Sequence, residues 1–305
     1  MTTDAYIIGE DLEYDPILFP REEREGSYIN CYRYMDGYWI DSLENAHIKL
    51  SLANDFNDVF DCAGRPCVGK LSPEIIANHW KGDPVLRTFF ELHGITNLWC
   101  YDHRIWAPLY SEYLSRCIQD KTMVGQFYML CFSSLKSNDN EADILMWSHY
   151  TKKWDGVRLG FDLLFENHKS VTYNVTTPYC LRPVTYDKNR PCLNMDEMSG
   201  LSDATFLKYY IALCHTKSQA WSYENEWRLS VLPENAEVRY DDKLGRMLFW
   251  QFHKSLLKTI DIGPKVSSVM RSEIISKARR VYPDVTIRDA VPDCNEYKIN
   301  YIEIG

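Results

Sequence analysis

Several common signatures are missing from this 305-residue chain, and each absence excludes a class of protein. No apolar run approaches the ~20 residues that a helix needs to cross a bilayer. The start has no basic segment followed by an apolar run, which is the pattern of a secretory signal. No internal repeat or low-complexity linker occurs. We therefore expect a cytoplasmic globular protein without a membrane partner.

The short motifs of four enzyme classes are absent as well. GxSxG, HExxH, GxxxxGK[ST] and GxGxxG do not occur, so the serine-hydrolase, zincin, P-loop and Rossmann interpretations have no support. Ser148 and His149 are sequence neighbours that point apart on a helix, which excludes a catalytic dyad between them. Cys214 and His215 are excluded for the same reason.

The ten cysteines show no CxxC pair. Cys62 and Cys67 are the closest two, and no second pair follows them. We therefore expect no structural zinc site, even with His79 downstream. Without a secretion signal we expect the thiols to be reduced.

Composition limits the partners further. The net charge of −9 argues against a chain that coats nucleic acid nonspecifically, although a local basic groove stays compatible with it. Aromatic residues reach 14%, with 21 Tyr and 9 Trp, which supplies rings that could stack on a flat ligand.

The order of predicted elements indicates an α+β fold. Strands are predicted at 29–34, 47–51, 126–132, 157–161, 170–175, 226–232, 258–262, 285–287 and 297–304. Helices are predicted at 39–46, within 72–120, and at 142–152, 203–219, 241–257 and 267–281. Strands and helices mix without regular βαβ alternation, which favours a mixed, mainly antiparallel sheet flanked by helices. We expect an N-terminal arm at 1–28 and a single domain at 29–305, with a helical insertion at about 72–120.

The densest chemistry lies in the stretch Trp221–Leu229. Apolar and polar residues alternate at its end, which predicts a strand. Residues i and i+2 of a strand share a face, so Glu224 and Glu226 would point together. Like charges so close raise one pKa unless a cation such as Arg228 compensates. Two interpretations stay open: a reaction centre, or acids that pair with Arg228 or with solvent.

The oxygen-rich loop at 54–61 allows a second interpretation. Its acids and amides resemble a calcium loop, but the central glycine and the closing glutamate of such a loop are missing. Asn and Asp side chains bind their own backbone in turns, so turn chemistry is favoured.

Seven segments together resemble the bacterial domain-of-unknown-function 2971 family, from about residue 29 onward. They are Tyr32-Arg33-Tyr34, Ile48–Ser51 with Phe56–Asp61, Cys131-Phe132-Ser133, Met146–Tyr150, Gly156–Asp162, Trp221–Leu229 and Ile262–Lys265. Val59 departs from the family, which usually has proline there. The family carries no established activity.

The chain order of Arg33, Ser51 and Glu224-x-Glu226 is similar to that of ADP-ribosyltransferase folds. The resemblance implies that Arg33 meets a phosphate or ribose of NAD and that Ser51 braces the site. Glu226 would stabilise an oxocarbenium-like ribose, as a carboxylate does beside a developing cation. Glu224 would position the acceptor.

The same resemblance implies an NAD-consuming ADP-ribosyltransferase or NAD glycohydrolase. Its macromolecular acceptor is unknown, and a bacterial toxin or phage-defence effector is the setting by analogy. Tyr34 or Phe56 would stack on nicotinamide. The full set of expected cofactor-binding residues is Arg33, Tyr34, Ser51, Phe56, Asn57, Trp147, His149 and Tyr150.

Two alternatives remain from the residues themselves. A metal-dependent nuclease could gather acids and a lysine around magnesium. Its candidate residues are Asp58, Asp61, Lys217, Glu224 and Glu226. A non-enzymatic ligand sensor or protein-interaction domain would instead use an aromatic-lined pocket.

Overall fold

The computed structural model describes ten segments of the chain. They are residues 28–36, 43–63, 65–67, 73–119, 128–135, 140–164, 180–194, 211–231, 236–241 and 245–305. The predicted arm, apart from Tyr28, and the predicted strand at 170–175 lie outside these residues.

Helices and strands are both abundant, which confirms the predicted α+β class. The strands are β1 (Tyr28–Asp36), β2 (His47–Lys49), β3 (Ser51–Leu52), β4 (Arg65–Cys67), β5 (Tyr128–Ser133), β6 (Gly156–Leu164), β7 (Cys180–Pro183), β8 (Thr185–Asp187), β9 (Cys192–Asn194), β10 (Thr216–Ser218), β11 (Glu226–Val231), β12 (Glu237–Asp241), β13 (Gly245–Gln251), β14 (Leu257–Ile262), β15 (Thr286–Pro292) and β16 (Ile299–Glu303). The helices are α1 (Pro73–Gly82), α2 (Pro84–Leu92), α3 (His103–Gln119), α4 (Asn140–Tyr150) and α5 (Ser268–Val281).

The described residues divide into two compact units. The first, called the helical unit, takes those within Ala53–Gln126 and Thr185–Gln219. The second, called the sheet unit, takes those within Arg21–Leu52, Phe127–Val184 and Ala220–Gly305. The domain boundaries expected from the sequence stay a prediction.

The sheet unit is built on one large sheet. Its strands lie in the order β16-β15-β14-β6-β1-β5-β11-β7, and β3 pairs with β5. The β14–β15 pair is parallel, and the other neighbouring pairs are antiparallel. The predicted mixed, mainly antiparallel sheet is therefore confirmed.

A hydrophobic core covers one face of this sheet. Leu159 of β6 and Leu229 of β11 are fully buried there because alternate strand residues point to the same side. Ile274 of α5 and Trp250 of β13 belong to the same core. Ser267 caps α5 by accepting a hydrogen bond from the Met270 amide at 3.2 Å, as its predicted helix start requires.

A second sheet in this unit corrects two predictions. It has the order β12-β13-β2, so the expected helix at 241–257 is wrong, and β2 does not share the large sheet with β3. The apolar run Met247–Trp250 is buried at every position. Such a run suits a strand covered on both faces, and it carries no helical period.

The helical unit contains the helices that were predicted within 72–120. Pro73 and Pro84 each occupy a first helical position, where the missing amide hydrogen costs nothing. Asp83 caps α2 by accepting from the Val85 amide at 2.8 Å, and the Tyr113 hydroxyl of α3 donates to the same carboxylate at 2.7 Å. None of the helices in the described part of the chain is long and apolar enough to cross a membrane.

Two further expectations for the helical unit need correction. The helix predicted at 203–219 ends early, because residues 211–214 are helical but Thr216–Ser218 form β10, parallel to β8. Residues 203–210 lie outside the described part. Cys192 is disulfide-bonded, so reduced thiols were wrongly expected at this position. A disulfide depends on which sulfurs the fold brings together, and sequence spacing does not show that.

Candidate functional site

Three of the predicted site residues lie on strands around β5. Glu226 begins β11 and lies directly across from Ser133 of β5, while Tyr32 of β1 lies across from Ser133 on the other side. Ser51 belongs to β3, which pairs with the same central strand. Arg33 follows Tyr32, so one strand separates its strand from that of Glu226. Two strand spacings amount to roughly 10 Å.

The Arg33 side chain binds β5 between the positions that pair with β1 and with β3. Its Nη1 donates to the Cys131 carbonyl oxygen at 2.8 Å, between the pairing with β1 at Ser133 and the pairing with β3 at Met129. Within the described segments, its buried Nε has no hydrogen-bond partner. Burial lowers the pKa of Arg33, and Cys131 and the Glu226 carboxylate act in the opposite direction. Arg33 is therefore a partly buried cation that feels the charge of Glu226.

Glu226 is held by a second arginine. Arg228 Nε donates to Oε1 at 2.7 Å, and Nη2 lies 3.3 Å from Oε2. Arg228 is fully buried and Glu226 nearly so. The planar guanidinium fixes the orientation of the carboxylate and compensates its charge. The sequence left two interpretations open for Glu226, and pairing with Arg228 is the structural one of the two.

Glu224 has a different setting from Glu226. It ends a 3-10 helix at Gln219–Glu224, and Asn225 then adopts a left-handed φ of 42° before β11 begins. The two acids are therefore not successive residues on one face of a strand, as we had expected. Glu224 Oε1 accepts a hydrogen bond from the Tyr150 hydroxyl at 2.5 Å, and its main-chain oxygen accepts one from Ser133.

Beside these acids, three rings form what we call the aromatic triangle: His149, Trp221 and Tyr223. Their centroids are 6.1 to 6.4 Å apart. His149 Nδ1 lies 3.1 Å from the Tyr223 hydroxyl, and the Tyr150 ring lies 6.2 Å from the His149 ring. Trp221 and Tyr223 were not among the expected site residues. The available signal was their position in the same short stretch as both acids.

Tyr34 and Trp147 lie inside the protein, where they contact other side chains. The Tyr34 hydroxyl donates to Asp143 at 2.5 Å, and Trp147 Nε1 donates to the Tyr301 hydroxyl at 2.9 Å. Trp147 is fully buried, and burial raises the pKa of Tyr34. Both rings have a packing role in this arrangement, and stacking of either on a ligand stays a prediction.

A buried network of ion pairs holds α4 in place. Arg158 pairs with Asp143 at 3.1 Å and with Asp261 at 2.7 Å, and Arg288 also pairs with Asp261. The Arg158 guanidinium lies 3.8 Å from the centroid of the Tyr301 ring. Burial acts to lower the pKa of Arg158, but the Asp261 carboxylate raises it above its ordinary value. The network ties α4 to β6 and β14 and so fixes the helix that carries His149 and Tyr150.

The remaining expected residues lie in the helical unit. They are Phe56, Asn57, Asp58, Asp61 and Lys217. Asp58 Oδ1 accepts from the Phe60 amide at 2.9 Å, which is the turn chemistry favoured for this loop. Lys217 lies 3.8 Å from Asp61, and both are buried. Among the residues that the structure describes, no group of three His, Cys, Asp or Glu side chains is placed to hold a metal ion.

Residues 146–229 match the model of the family described as Protein of unknown function (DUF2971). This segment is similar to that family. The predicted resemblance to this family is thus confirmed for this segment, which contains the end of α4, the aromatic triangle and both acids. No curated protein and no solved structure matches the chain.

Proposed function

We propose that this protein cleaves the bond between nicotinamide and ribose in NAD, as an ADP-ribosyltransferase or NAD glycohydrolase. The observation that carries the proposal is that the strands of Arg33 and Glu226 lie on the two sides of β5, with Ser51 in the same sheet. An anion-binding cation beside a fixed carboxylate is what this reaction needs.

Glu226 would act on the ribose. When the C1′–N1 bond breaks, its electron pair stays with nicotinamide, which leaves as a neutral molecule, and the ribose gains oxocarbenium character. A carboxylate that is already oriented stabilises that charge without reorganising. Each carboxylate oxygen can accept more than one hydrogen bond, so an oxygen held by Arg228 can still accept one from a ribose hydroxyl. Water or an acceptor hydroxyl then bonds to C1′ and loses its proton.

Arg33 would hold the diphosphate. A guanidinium has five N–H donors in a fixed fork that matches phosphate oxygens. One contact is its bond to the Cys131 carbonyl, which anchors the side chain to β5. Glu224, oriented by Tyr150, would position the acceptor.

The experiment is nicotinamide release from NAD, measured by chromatography on the purified protein. Glu226→Gln should release nicotinamide about a hundredfold more slowly or worse, since one such electrostatic contact commonly contributes that much. Glu273→Gln, on the exposed surface of α5, is the matched control and should keep the wild-type rate. Arg33→Gln should raise KM more than it lowers kcat.

A folding control accompanies this comparison, because glutamine leaves Arg228 buried without its counter-charge. Circular dichroism and retained NAD binding would show that the variant is folded. If folded Glu226→Gln releases nicotinamide at the wild-type rate, Glu226 does not carry the reaction.

A further inference from the structure

We infer that three exposed lysines of the sheet unit, Lys152, Lys153 and Lys265, form a surface that binds the phosphate backbone of nucleic acid. We call them the lysine surface. The inference goes beyond the proposed function, because it concerns binding alone and needs no reaction with NAD. The net charge of −9 is compatible with such a local basic surface.

A main-chain contact brings the three lysines together. Lys152 and Lys153 lie in the turn that follows α4, and Trp154 comes next. Lys265 lies in the turn that follows β14, and its amide donates to the Trp154 carbonyl oxygen at 3.2 Å. All three lysines are exposed. They therefore lie on two adjoining turns at one end of the large sheet.

The turn that carries Lys152 and Lys153 is fixed by its contacts. Lys152, Lys153 and Trp154 have left-handed φ values of 50°, 63° and 75°, which residues other than glycine keep only where the surrounding structure holds them. Trp154 Nε1 donates to Ser148 at 3.0 Å, and its ring stacks on that of the buried Trp147 with centroids 6.0 Å apart. A turn that is already ordered loses little main-chain freedom when it binds a partner.

Neighbouring acids do not neutralise the lysine surface. Elsewhere in the sheet unit a lysine can be paired, as Lys298 is with Glu296 at 2.6 Å. Within the described segments, the three lysines of the surface form no ion pair, either with Asp155, which follows in the same turn, or with any other acid. Their ammonium groups can therefore neutralise the phosphates of a bound strand.

The strength of this binding follows from counterion release. Each lysine that neutralises a phosphate of duplex DNA adds about 0.9 to the slope of log affinity against log salt. Three such contacts give a slope of roughly 3, which lowers the affinity about 40-fold between about 50 and 200 mM salt. The acidic residues elsewhere on the chain oppose this weakly, because charges more than about 8 Å away are largely screened at physiological salt. We expect weak binding that does not depend on base sequence.

The test is fluorescence anisotropy of a labelled DNA duplex of mixed sequence, titrated with the purified full chain at several salt concentrations. The surface variant combines Lys152→Gln, Lys153→Gln and Lys265→Gln. It should lower the salt slope by about 2 to 3, since all three phosphate contacts are lost. Arginine at the same three positions should keep the wild-type slope, because the charge is retained.

A matched control removes the same charge elsewhere on the surface. It combines Lys81→Gln, Lys188→Gln and Lys258→Gln, all at exposed positions, and should bind as the wild type does. Circular dichroism would show that both triple variants are folded.

Three results would overturn the inference. The first is a wild type that shows no salt-dependent binding of the duplex. The second is a surface variant with the wild-type slope. The third is displacement of the labelled duplex by polyglutamate as effectively, charge for charge, as by unlabelled DNA, since the partner would then be an acidic protein.

Discussion

Arg228 holds both carboxylate oxygens of Glu226 from within the same strand, at 2.7 and 3.3 Å. The acid expected to meet the substrate is thus also half of a buried ion pair. The pair orients the carboxylate, and it couples the proposed site to the stability of β11.

Loss of the arginine should therefore destabilise the protein strongly. Arg228→Met leaves a buried carboxylate without its partner, and such changes cost about 3–5 kcal/mol. Arg271→Met is the matched control, because the Arg271–Asp289 pair is partly exposed and such pairs contribute about 0–1 kcal/mol. Urea denaturation should give a much lower midpoint for Arg228→Met. Equal midpoints for the two variants would mean that the buried pair contributes no more than the exposed one.

A glycine pair tests the packing behind α4. A methyl group at Gly263 would lie 2.4 Å from the Trp154 carbonyl oxygen and 2.9 Å from that of Gly156, and main-chain atoms cannot rotate away. Gly263→Ala should cost about 1–3 kcal/mol or more through overpacking. Gly82→Ala, which meets no atom within 4 Å at the end of α1, should be neutral or stabilising by up to about 1 kcal/mol. Thermal denaturation that gives both variants one midpoint would refute this packing.

His47 should make stability depend on pH. Its Nε2 lies 2.5 Å from Glu237, and Arg239 approaches Nδ1 at 2.6 Å, so Nδ1 accepts and the ring is neutral. Burial lowers the pKa of His47 in the folded chain, with Arg239 adding to this and Glu237 opposing it. The unfolded chain takes up the proton first, near its ordinary pKa of about 6.5. The contribution of neutral His47 to the free energy of unfolding is therefore complete above that pH and is lost as the pH falls below it.

The measurement is the free energy of unfolding between about pH 7.5 and 5 for the wild type and His47→Gln. The variant should lose less stability over this range. Some dependence will remain, because burial also lowers the pKa of His79. An identical pH dependence in the two proteins would show that His47 does not contribute.

The sequence predicted elements well where local signals agree. α5 has a serine cap followed by helical spacing, and α1 and α2 start at proline, so local chemistry decides where each begins. β1 alternates between exposed and buried residues over 28–31 and was also predicted. The β12–β13 pair was missed because Met247–Trp250 is buried throughout, and a short apolar run does not distinguish helix from strand.

The candidate site was predictable only in part, because some of its geometry depends on a turn and on tertiary packing. Arg33, Ser51 and Glu226 lie on strands that the sequence predicted, and the structure places β1, β3 and β11 in one sheet, which local alternation does not indicate. The setting of Glu224 depends on a 3-10 turn and the left-handed Asn225, which no periodicity signals. The aromatic triangle joins α4 to that turn across more than 70 residues of chain, a contact that arises only from tertiary packing.

The most direct test of the proposed function is incubation of the wild type with NAD and nucleic acid together, in EDTA and in magnesium. Chromatography would follow nicotinamide, ADP-ribose and nucleic acid fragments, with Glu226→Gln in parallel and with cell extract added as a source of acceptor. We predict nicotinamide release by the wild type in both conditions and its loss in Glu226→Gln. Intact NAD in every arm, or magnesium-dependent cutting of the nucleic acid in its place, would contradict the proposal and favour the nuclease.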